Sequence, residues 1–215
     1  MPLTALWLCA FGLIATPAMA VNEPAFKVIG QSGRVELREY QAYLVAETRV
    51  RADFSEAGNL AFGPLFKYIS GNNREQGKIE MTAPVSQIAA SGAGEKIDMT
   101  APVTQVSPAD GTGDYVVTFA MPARFTRESI PQPTDTRVKI REIAPRKVAV
   151  LRFGGTWSEV RYSEHVALLK VEIANAGWRV LGPVEFARYD PPFMPWFLRR
   201  NEVMVEVEPR NNVPG

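Results

Sequence analysis

A stretch of ten residues occurs almost twice in this chain, as KIEMTAPVSQ at 78–87 and KIDMTAPVTQ at 96–105. The copies differ at two positions, where Glu80 is replaced by Asp98 and a serine by a threonine, and both differences conserve chemistry. Chance repetition of this quality is improbable. The region therefore either shapes a site or forms a symmetric part of the scaffold, and the fold must accommodate two equivalent segments.

Alternation within each copy predicts which side chains face inward. Successive side chains of an extended segment point to opposite faces, so Met81 and Met99 are expected to lie inward with the neighbouring isoleucines, Ile79 and Ile97. Each copy also contains a proline, which lacks the N–H that a strand ladder needs. We expect two short extended segments that bend at Ala-Pro and together build one apolar wall.

The order of predicted elements divides the chain into two similar halves. Each half contains two strands, a capped helix and closing strands, as judged from apolar periodicity and capping residues. The predicted segments are 35–40, 43–50, 53–71 and 115–121 in the first half, and 138–143, 148–153, 156–176, 184–189 and 202–207 in the second. The pattern predicts an α+β fold in which two pseudo-symmetric halves form a distorted antiparallel β-barrel or sheet flanked by two helices.

The first twenty residues have the composition of a secretory signal peptide. They contain no charged side chain, carry an apolar run over 3–15 and end in Ala18-Met19-Ala20, which fits cleavage after Ala20. We expect a signal peptide at 1–20, a single domain at 21–215, export to the periplasm and no stable membrane span after cleavage. An uncleaved anchor is the alternative, although the run is shorter than the roughly 20 residues of a spanning helix.

Composition excludes several classes of function. Lysine and arginine number 24 against 23 acidic residues, whereas nucleic-acid binding proteins show a basic excess or stripe, so we expect no nucleic-acid partner. The only cysteine, Cys9, lies in the expected signal peptide. The mature chain would therefore have no thiol for a disulfide, a metal site or a nucleophile. His165 is the only histidine.

The Lys-Ile-x-Met-Thr-Ala-Pro-Val segment resembles the signature of the SOUL haem-binding proteins. Further segments follow in that family's order, at 35–40, 66–72, 119–122, 131–133, 189–192 and 200–203. The resemblance covers most of 30–208 and implies a two-half α+β barrel that binds haem or a related tetrapyrrole without catalysis. This chain departs from the family pattern at one position. Where some members carry a histidine proposed as an iron ligand, in an Arg-His-Tyr context, this chain has Arg38-Glu39-Tyr40.

The candidate ligand-binding groove combines apolar and basic side chains. Methionine and valine offer apolar surface to a flat macrocycle, tryptophan stacks on it, and the arginine fork matches the carboxylates of haem propionates. The residues so assigned are Met81, Val85, Met99, Val103, Trp196, Arg199 and Arg200, with His165 as a candidate for the iron ligand. Each has a structural alternative: core packing for the apolar residues, an ion pair with Glu202 for the arginines, and a helix-boundary position for His165.

Two other functions stay open. Glu39, Glu80 and Asp98 are acidic groups that a small-molecule hydrolase on the same fold would use, although the charged repeat positions also fit a solvated cluster. A ligand-free interaction protein of the cell envelope is the other alternative. The apolar segment 193–197 also suits contact with a membrane surface.

Overall fold

The computed structural model describes residues 23–74, 94–106, 113–190 and 193–209. Within these segments the chain forms eleven strands, two α-helices and one short 3-10 helix. The strands are β1 (Phe26–Ser32), β2 (Val35–Tyr40), β3 (Tyr43–Arg51), β4 (Asn73–Arg74), β5 (Val103–Val106), β6 (Asp114–Ala120), β7 (Gln132–Pro133), β8 (Lys139–Ile143), β9 (Arg146–Gly154), β10 (Trp178–Arg188) and β11 (Arg200–Pro209). The helices are α1 (Phe54–Ile69) and α2 (Glu159–Asn175), and the 3-10 helix is Trp196–Leu198.

Nine of the described strands form one sheet in the order β1-β2-β9-β11-β10-β5-β6-β3-β8. All of its pairings are antiparallel, and β4 pairs with β7 in a separate two-stranded sheet. From the central β5–β10 pair outward, the order β10-β11-β9-β2 on one side matches β5-β6-β3-β8 on the other. The predicted α+β fold, with two pseudo-symmetric halves in a distorted antiparallel sheet, is therefore confirmed, and the sheet is open.

Three pairs of consecutive strands are joined by two residues, and among these only β1 and β2, joined by Gly33-Arg34, pair with each other. β2 pairs with β9 rather than β3, and β8 pairs with β3 rather than β9. The strands predicted at 138–143 and 148–153 are both present, as β8 and β9, but they do not pair with each other. A two-residue hairpin needs positive φ at one or both central residues, whereas Gln41-Ala42 and Ala144-Pro145 offer no glycine or asparagine. Every positive φ among the described residues belongs to a glycine.

The first strand, β1, has no clear signal in the sequence. It pairs with β2 at an edge of the sheet, and a register shift between Val28 and Gly30 interrupts its alternation. Most of its side chains are exposed. Its place therefore depends on backbone hydrogen bonds to β2 more than on burial of its own side chains.

Both helices pack against one face of the sheet, which we call the helix face. The core beneath them contains Leu65 and Tyr68 of α1 and Tyr162 and Leu169 of α2, each no more than 1% exposed. Phe54, at the start of α1, meets Tyr162 edge to face with ring centroids 5.4 Å apart, so the helices share one aromatic cluster. Among the described residues, no helix is long and apolar enough to cross a bilayer.

Each helix begins at a residue with a capping side chain, but only one of these caps forms. The N-cap of α2 is Ser158, two residues later than the predicted start, and its hydroxyl accepts a hydrogen bond from the backbone N–H of Arg161 at 3.4 Å. Asp53 precedes α1 as predicted, yet its side chain makes no capping hydrogen bond. Pro64 lies inside α1 without ending the helix.

One prediction about the second copy of the repeat is wrong. The first copy, which includes Met81 and Val85, lies outside the described residues. Ile97 is buried at 2% exposure, whereas Met99 is 53% exposed, so the prediction that Met99 faces inward is wrong. The alternation fails because residues 94–102 form no strand. The N–H of Ile97 instead donates to the carbonyl of Ile69 at the end of α1, at 2.7 Å.

Two substitutions in this copy test the assignment. Ile97→Ala should lower the free energy of unfolding by about 2–5 kcal/mol, because it leaves a cavity in the core. Met99→Ala should change it by no more than about 0.5 kcal/mol, as is usual for exposed positions. Urea unfolding of both variants measures the difference, and equal effects would contradict the assignment.

Candidate functional site

The face of the sheet opposite the helices, which we call the open face, carries a buried network of charges. The carboxylate of Glu202 is fully buried and receives both terminal nitrogens of Arg38, at 3.0 and 3.1 Å. Arg200 donates to the same carboxylate at 2.9 Å, and the hydroxyl of Tyr189 donates at 2.6 Å. Arg200 also binds the carboxylate of Glu23 at 3.1 and 3.2 Å. Glu202 is therefore fully compensated by its neighbours.

A second pair occupies the centre of the open face. The guanidinium of Arg146 binds both carboxylate oxygens of Glu185 and donates to the hydroxyl of Tyr43 at 3.2 Å. On the neighbouring strands, Arg141 donates to Glu47 at 2.6 Å. These two pairs line a cavity of about 300 Å³. Acidic and basic groups alternate along its wall, so this face offers no excess of positive charge to an anionic ligand.

Burial also changes the acidity of the phenols on this face. Desolvation raises the pKa of Tyr40 from 10.0 to about 12, against the opposing effect of its hydrogen bond with Arg38. Burial, with the nearby Glu202 charge, likewise raises the pKa of Tyr189. Both phenols are therefore neutral at physiological pH and can donate hydrogen bonds.

The helix face has a different cluster at the ends of β9 and β10, which we call the arginine–tryptophan corner. It consists of Trp157, Arg161, Arg188 and Arg199. Trp157 lies between β9 and α2, and Arg161 lies in the first turn of α2. Arg188 ends β10, and Arg199 immediately precedes β11. The guanidinium carbons of Arg199 and Arg188 lie 4.3 and 5.2 Å from the Trp157 ring centroid, within cation–π range.

Two arginines of this corner, Arg161 and Arg188, are bonded to neutral acceptors. Arg188 donates to the side-chain oxygen of Gln105 at 3.4 Å, and Arg161 donates to the carbonyl of Gly154 at 3.0 Å. Within the described segments, neither of these two arginines forms an ion pair, and the buried Nε of each has no hydrogen-bond partner. The buried indole N–H of Trp157 has none either. The corner thus combines positive charge with unused donors, which suits a carboxylate ligand.

The predicted basic residues Arg199 and Arg200 are separated by the sheet. Consecutive residues at the start of a strand point to opposite faces, so Arg199 stacks on Trp157 while Arg200 joins Glu202 on the open face. The structural ion pair offered as the alternative is confirmed for Arg200. The prediction that both arginines line one groove is wrong for this reason.

The remaining predicted residues fall in different places. Trp196 is 60% exposed beside Arg199. Val103 is half-buried and packs against the core under the helices rather than lining an open groove. Met99 is exposed, and Asp98 beside it forms an exposed ion pair with Arg124 at 2.9 Å. The solvated interpretation of the charged repeat position is therefore confirmed for Asp98.

His165 lies one helical turn after Arg161, at the border of the corner. Its Nδ1 is 2.6 Å from the carbonyl oxygen of Arg161, which can only accept, so we assign the proton to Nδ1. Its ring stacks on Phe153, with centroids 3.8 Å apart and planes inclined by 19°. The lone pair of this tautomer is on Nε2, the nitrogen that would ligate a metal.

Sequence reasoning missed Arg161 and Arg188 and did not connect them with Trp157, which it had considered as a ring that could stack on a macrocycle or serve as a buried anchor. The three residues are spread over 157–188, and no spacing rule connects a helix turn with the end of the following strand. The one local signal is the pair of glycines at 154–155, because Gly155 adopts φ +109° and an added Cβ there would lie about 3.0 Å from Arg161. Such a position tolerates only glycine without strain.

An open antiparallel sheet with two helices on one face defines a two-half α+β class of protein. The family model for SOUL heme-binding protein matches residues 21–93 and 87–206. The chain belongs to the SOUL family. This confirms the family expected from the sequence, whose relatives are described as heme-binding proteins.

Two relatives illustrate the similarity. Heme-binding protein 1 of Mus musculus is 31% identical over 152 residues, covering 69% of this chain and 70% of the relative. Heme-binding protein 2 of Homo sapiens is 26% identical over 204 residues, covering 89% of this chain and 92% of the relative.

Two solved structures share the fold. The EcmrR C-terminal domain has a TM-score of 0.57 at 14% identity, covering 81% of this chain and 96% of its own. A hydrolase from Listeria innocua has a TM-score of 0.53 at 12% identity, covering 84% of this chain and 94% of its own. At these identities the similarity concerns the fold alone.

The buried network predicts a large effect from one substitution. Glu202→Gln should lower the free energy of unfolding by about 3–5 kcal/mol, because it leaves Arg38 buried without its counter-charge. Glu206→Gln, on the same strand and half-buried, is the control and should change it by about 0.5 kcal/mol or less. Urea unfolding at neutral pH measures both, and a stable Glu202→Gln variant would show that the network is dispensable.

The raised pKa of Tyr40 predicts a loss of stability in alkali. The unfolded state gives up this proton near pH 10 and the folded state near pH 12, so the unfolded state binds fewer protons in between and stability falls as pH rises. The stabilisation is complete below pH 10. Between pH 9 and pH 12, the free energy of unfolding of Tyr40→Phe should therefore fall by about 2–3 kcal/mol less than that of the wild type. Urea unfolding across this pH range measures the difference. If the free energies of unfolding of the two proteins fall in parallel as the pH rises, the raised pKa of Tyr40 is contradicted.

Proposed function

We propose that this protein binds haem or a related tetrapyrrole, without catalysing a reaction, at the arginine–tryptophan corner. The observation that carries the proposal is the pair Arg161 and Arg188, which have buried Nε donors without partners and no ion pair among the described residues. Membership of a family described as heme-binding supports the same ligand. The corner is a basic site with an aromatic border, which modifies the apolar groove expected from the sequence.

The chemistry of the corner matches the two parts of the ligand. Guanidinium groups bind carboxylates through two parallel hydrogen bonds, so Arg188 and Arg161 would hold the propionates. The exposed rings of Trp196 and Phe197, at 60% and 64% exposure, would cover part of the macrocycle, since aromatic rings stack favourably on flat π systems. The protein thereby binds and orients the ligand, and any iron chemistry belongs to the haem.

His165 is the residue that we propose as an iron ligand at this site. Its Nδ1 hydrogen bond to the Arg161 carbonyl fixes the tautomer that leaves Nε2 for a metal. Glu39, at the position of the proposed family ligand, lies on β2 opposite Lys147, near the start of β9, whereas the corner lies at the other end of β9. Ligation from that position would therefore not serve the corner.

The cellular setting is also a proposal. The signal-peptide pattern at 1–20, with cleavage after Ala20, supports a periplasmic protein that handles haem in the cell envelope. The hydrolase alternative has less support, because Asp98 is exposed beside Arg124 and lies near β5, whereas Glu39 lies on β2. These carboxylates therefore do not converge on one site.

Hemin titration of the purified protein tests the ligand and the corner together. The Soret band should shift and saturate near one equivalent. Arg188→Ala should weaken binding about tenfold or more, which corresponds to the loss of a hydrogen bond to a charged group. Arg179→Ala, an exposed arginine on the same strand, is the matched control and should bind like the wild type.

The dimethyl ester of hemin separates the propionate contact from other effects. It lacks free carboxylates, so its affinity should be equal for the wild type and for Arg188→Ala. If Arg188→Ala weakens both ligands equally, the substitution acts on the fold and the propionate assignment fails. If the hemin spectrum matches that of hemin on an unrelated apolar protein, haem binding itself is contradicted and the ligand-free interaction protein is favoured.

Iron ligation is tested by a spectrum rather than by affinity. His165→Ala should change the Soret position and the visible bands of the hemin complex while leaving the binding of iron-free protoporphyrin unaltered. An unchanged hemin spectrum would remove His165 as the ligand and leave haem held by its propionates and faces alone.

A further inference from the structure

The segment between β10 and β11 exposes an unusual group of large apolar side chains. Phe193 is 85% exposed, Trp196 60%, Phe197 64% and Leu198 62%. These residues lie within six positions, and the run Phe-Met-Pro-Trp-Phe-Leu at 193–198 contains no charge, so we call it the aromatic loop. Contiguous exposed apolar residues of this kind usually mark an interaction surface.

The backbone of the aromatic loop is ordered by its own hydrogen bonds. The N–H of Leu198 donates to the carbonyl of Pro195 at 2.9 Å, and the N–H of Arg199 donates to that of Trp196 at 3.3 Å. The Arg199 side chain donates to the carbonyl of Met194 at 2.8 Å. The polar groups of the loop are thus partly satisfied internally, which lowers the cost of moving the loop out of water.

Positive charge lies directly behind the aromatic loop. Arg199 and Arg188 both stack on Trp157 at its base, and no acidic residue occurs from 191 to 199. Apolar and aromatic side chains in front of cationic ones are the arrangement that binds the interface of an anionic bilayer, because rings enter the headgroup region while cations meet phosphates.

The N-terminal part of the chain joins the domain next to the same loop. Glu23 is held by the guanidinium of Arg200 at 3.1 and 3.2 Å, and Arg200 follows the loop by two residues. The apolar run at 3–15 lies only eight residues before Glu23, a span of at most about 28 Å. In the uncleaved chain, which is the alternative to cleavage after Ala20, an N-terminal run that contacts a membrane would hold the aromatic loop within reach of that membrane.

We propose that the aromatic loop docks the protein onto an anionic lipid bilayer, with Trp196 and Phe197 inserted at the interface. Tryptophan suits this position because its ring is apolar and its N–H is polar. The proposal does not depend on haem. Because Trp196 and Phe197 also border the haem site proposed above, a bilayer and the macrocycle would compete for these two rings, and the test of bilayer binding therefore omits hemin.

The test uses the purified protein without hemin and vesicles of phosphatidylcholine with or without phosphatidylglycerol. The double variant Trp196→Ser and Phe197→Ser should reduce partition into anionic vesicles about a hundredfold, or about tenfold for each ring removed from the interface. The double variant Leu168→Ser and Val171→Ser is the control, since these residues are 49% and 57% exposed on α2 and lie outside the loop. Its partition should match the wild type.

The insertion depth of Trp196 is measured with brominated lipids, which quench tryptophan fluorescence only inside the bilayer. Quenching of the wild type should be lost in Trp196→Phe, which keeps an aromatic ring at the same position. Equal partition of the loop and control variants, with no quenching at Trp196, would overturn the proposal. It would also be overturned if gel filtration showed that the loop substitutions convert a dimer into a monomer, since the surface would then bind a second copy. Because hemin is absent from these measurements, neither outcome decides whether Arg161 and Arg188 bind the propionates of haem.

Discussion

The exchange of strands between the halves is the constraint on which the rest of the structure depends. Because Gln41-Ala42 and Ala144-Pro145 do not close hairpins, β2 pairs with β9 and β8 pairs with β3. Each half therefore completes the sheet of the other. The exchange also brings Arg38 of β2 to Glu202 of β11, 164 positions later in the chain, so the buried network joins the start and the end of the described domain.

The two faces of the sheet divide charge in different ways. On the open face, the buried carboxylates of Glu185 and Glu202 are bound by arginines, and little net charge remains for a ligand. On the helix face, Arg161 and Arg188 bond to neutral oxygens. A low-dielectric surrounding strengthens any new ion pair formed there, provided that the ligand supplies the carboxylate. This difference in charge is the reason why we assign the proposed anionic ligand to the face that carries both helices.

Much of the fold was predictable from local patterns, while long-range pairings were not. Alternation of apolar and polar residues predicts the strands at 35–40 and 43–50. The conformational freedom of glycine predicts the end of α2, where Gly177 adopts a φ of +67°. The partners of β2 and β8 do not follow from such patterns, because alternation fixes the face of a side chain and not the strand beside it. A weak internal signal existed: β3 and β9 are related by a shift of 103 positions, with Val45-Ala46 matching Val148-Ala149.

The sequence by itself determined the class of fold, the division into two halves and the family, because periodicity, capping residues and a specific repeated motif are local properties. It also identified Trp196, Arg199 and His165, which the structure places in or beside one corner. Only the tertiary structure decided that Arg200 faces away from Arg199, that Met99 is exposed and that Arg188 joins Arg161 beside Trp157. These outcomes depend on which strands pair and where a strand begins, and such contacts arise from packing across the whole chain rather than from any short stretch of it.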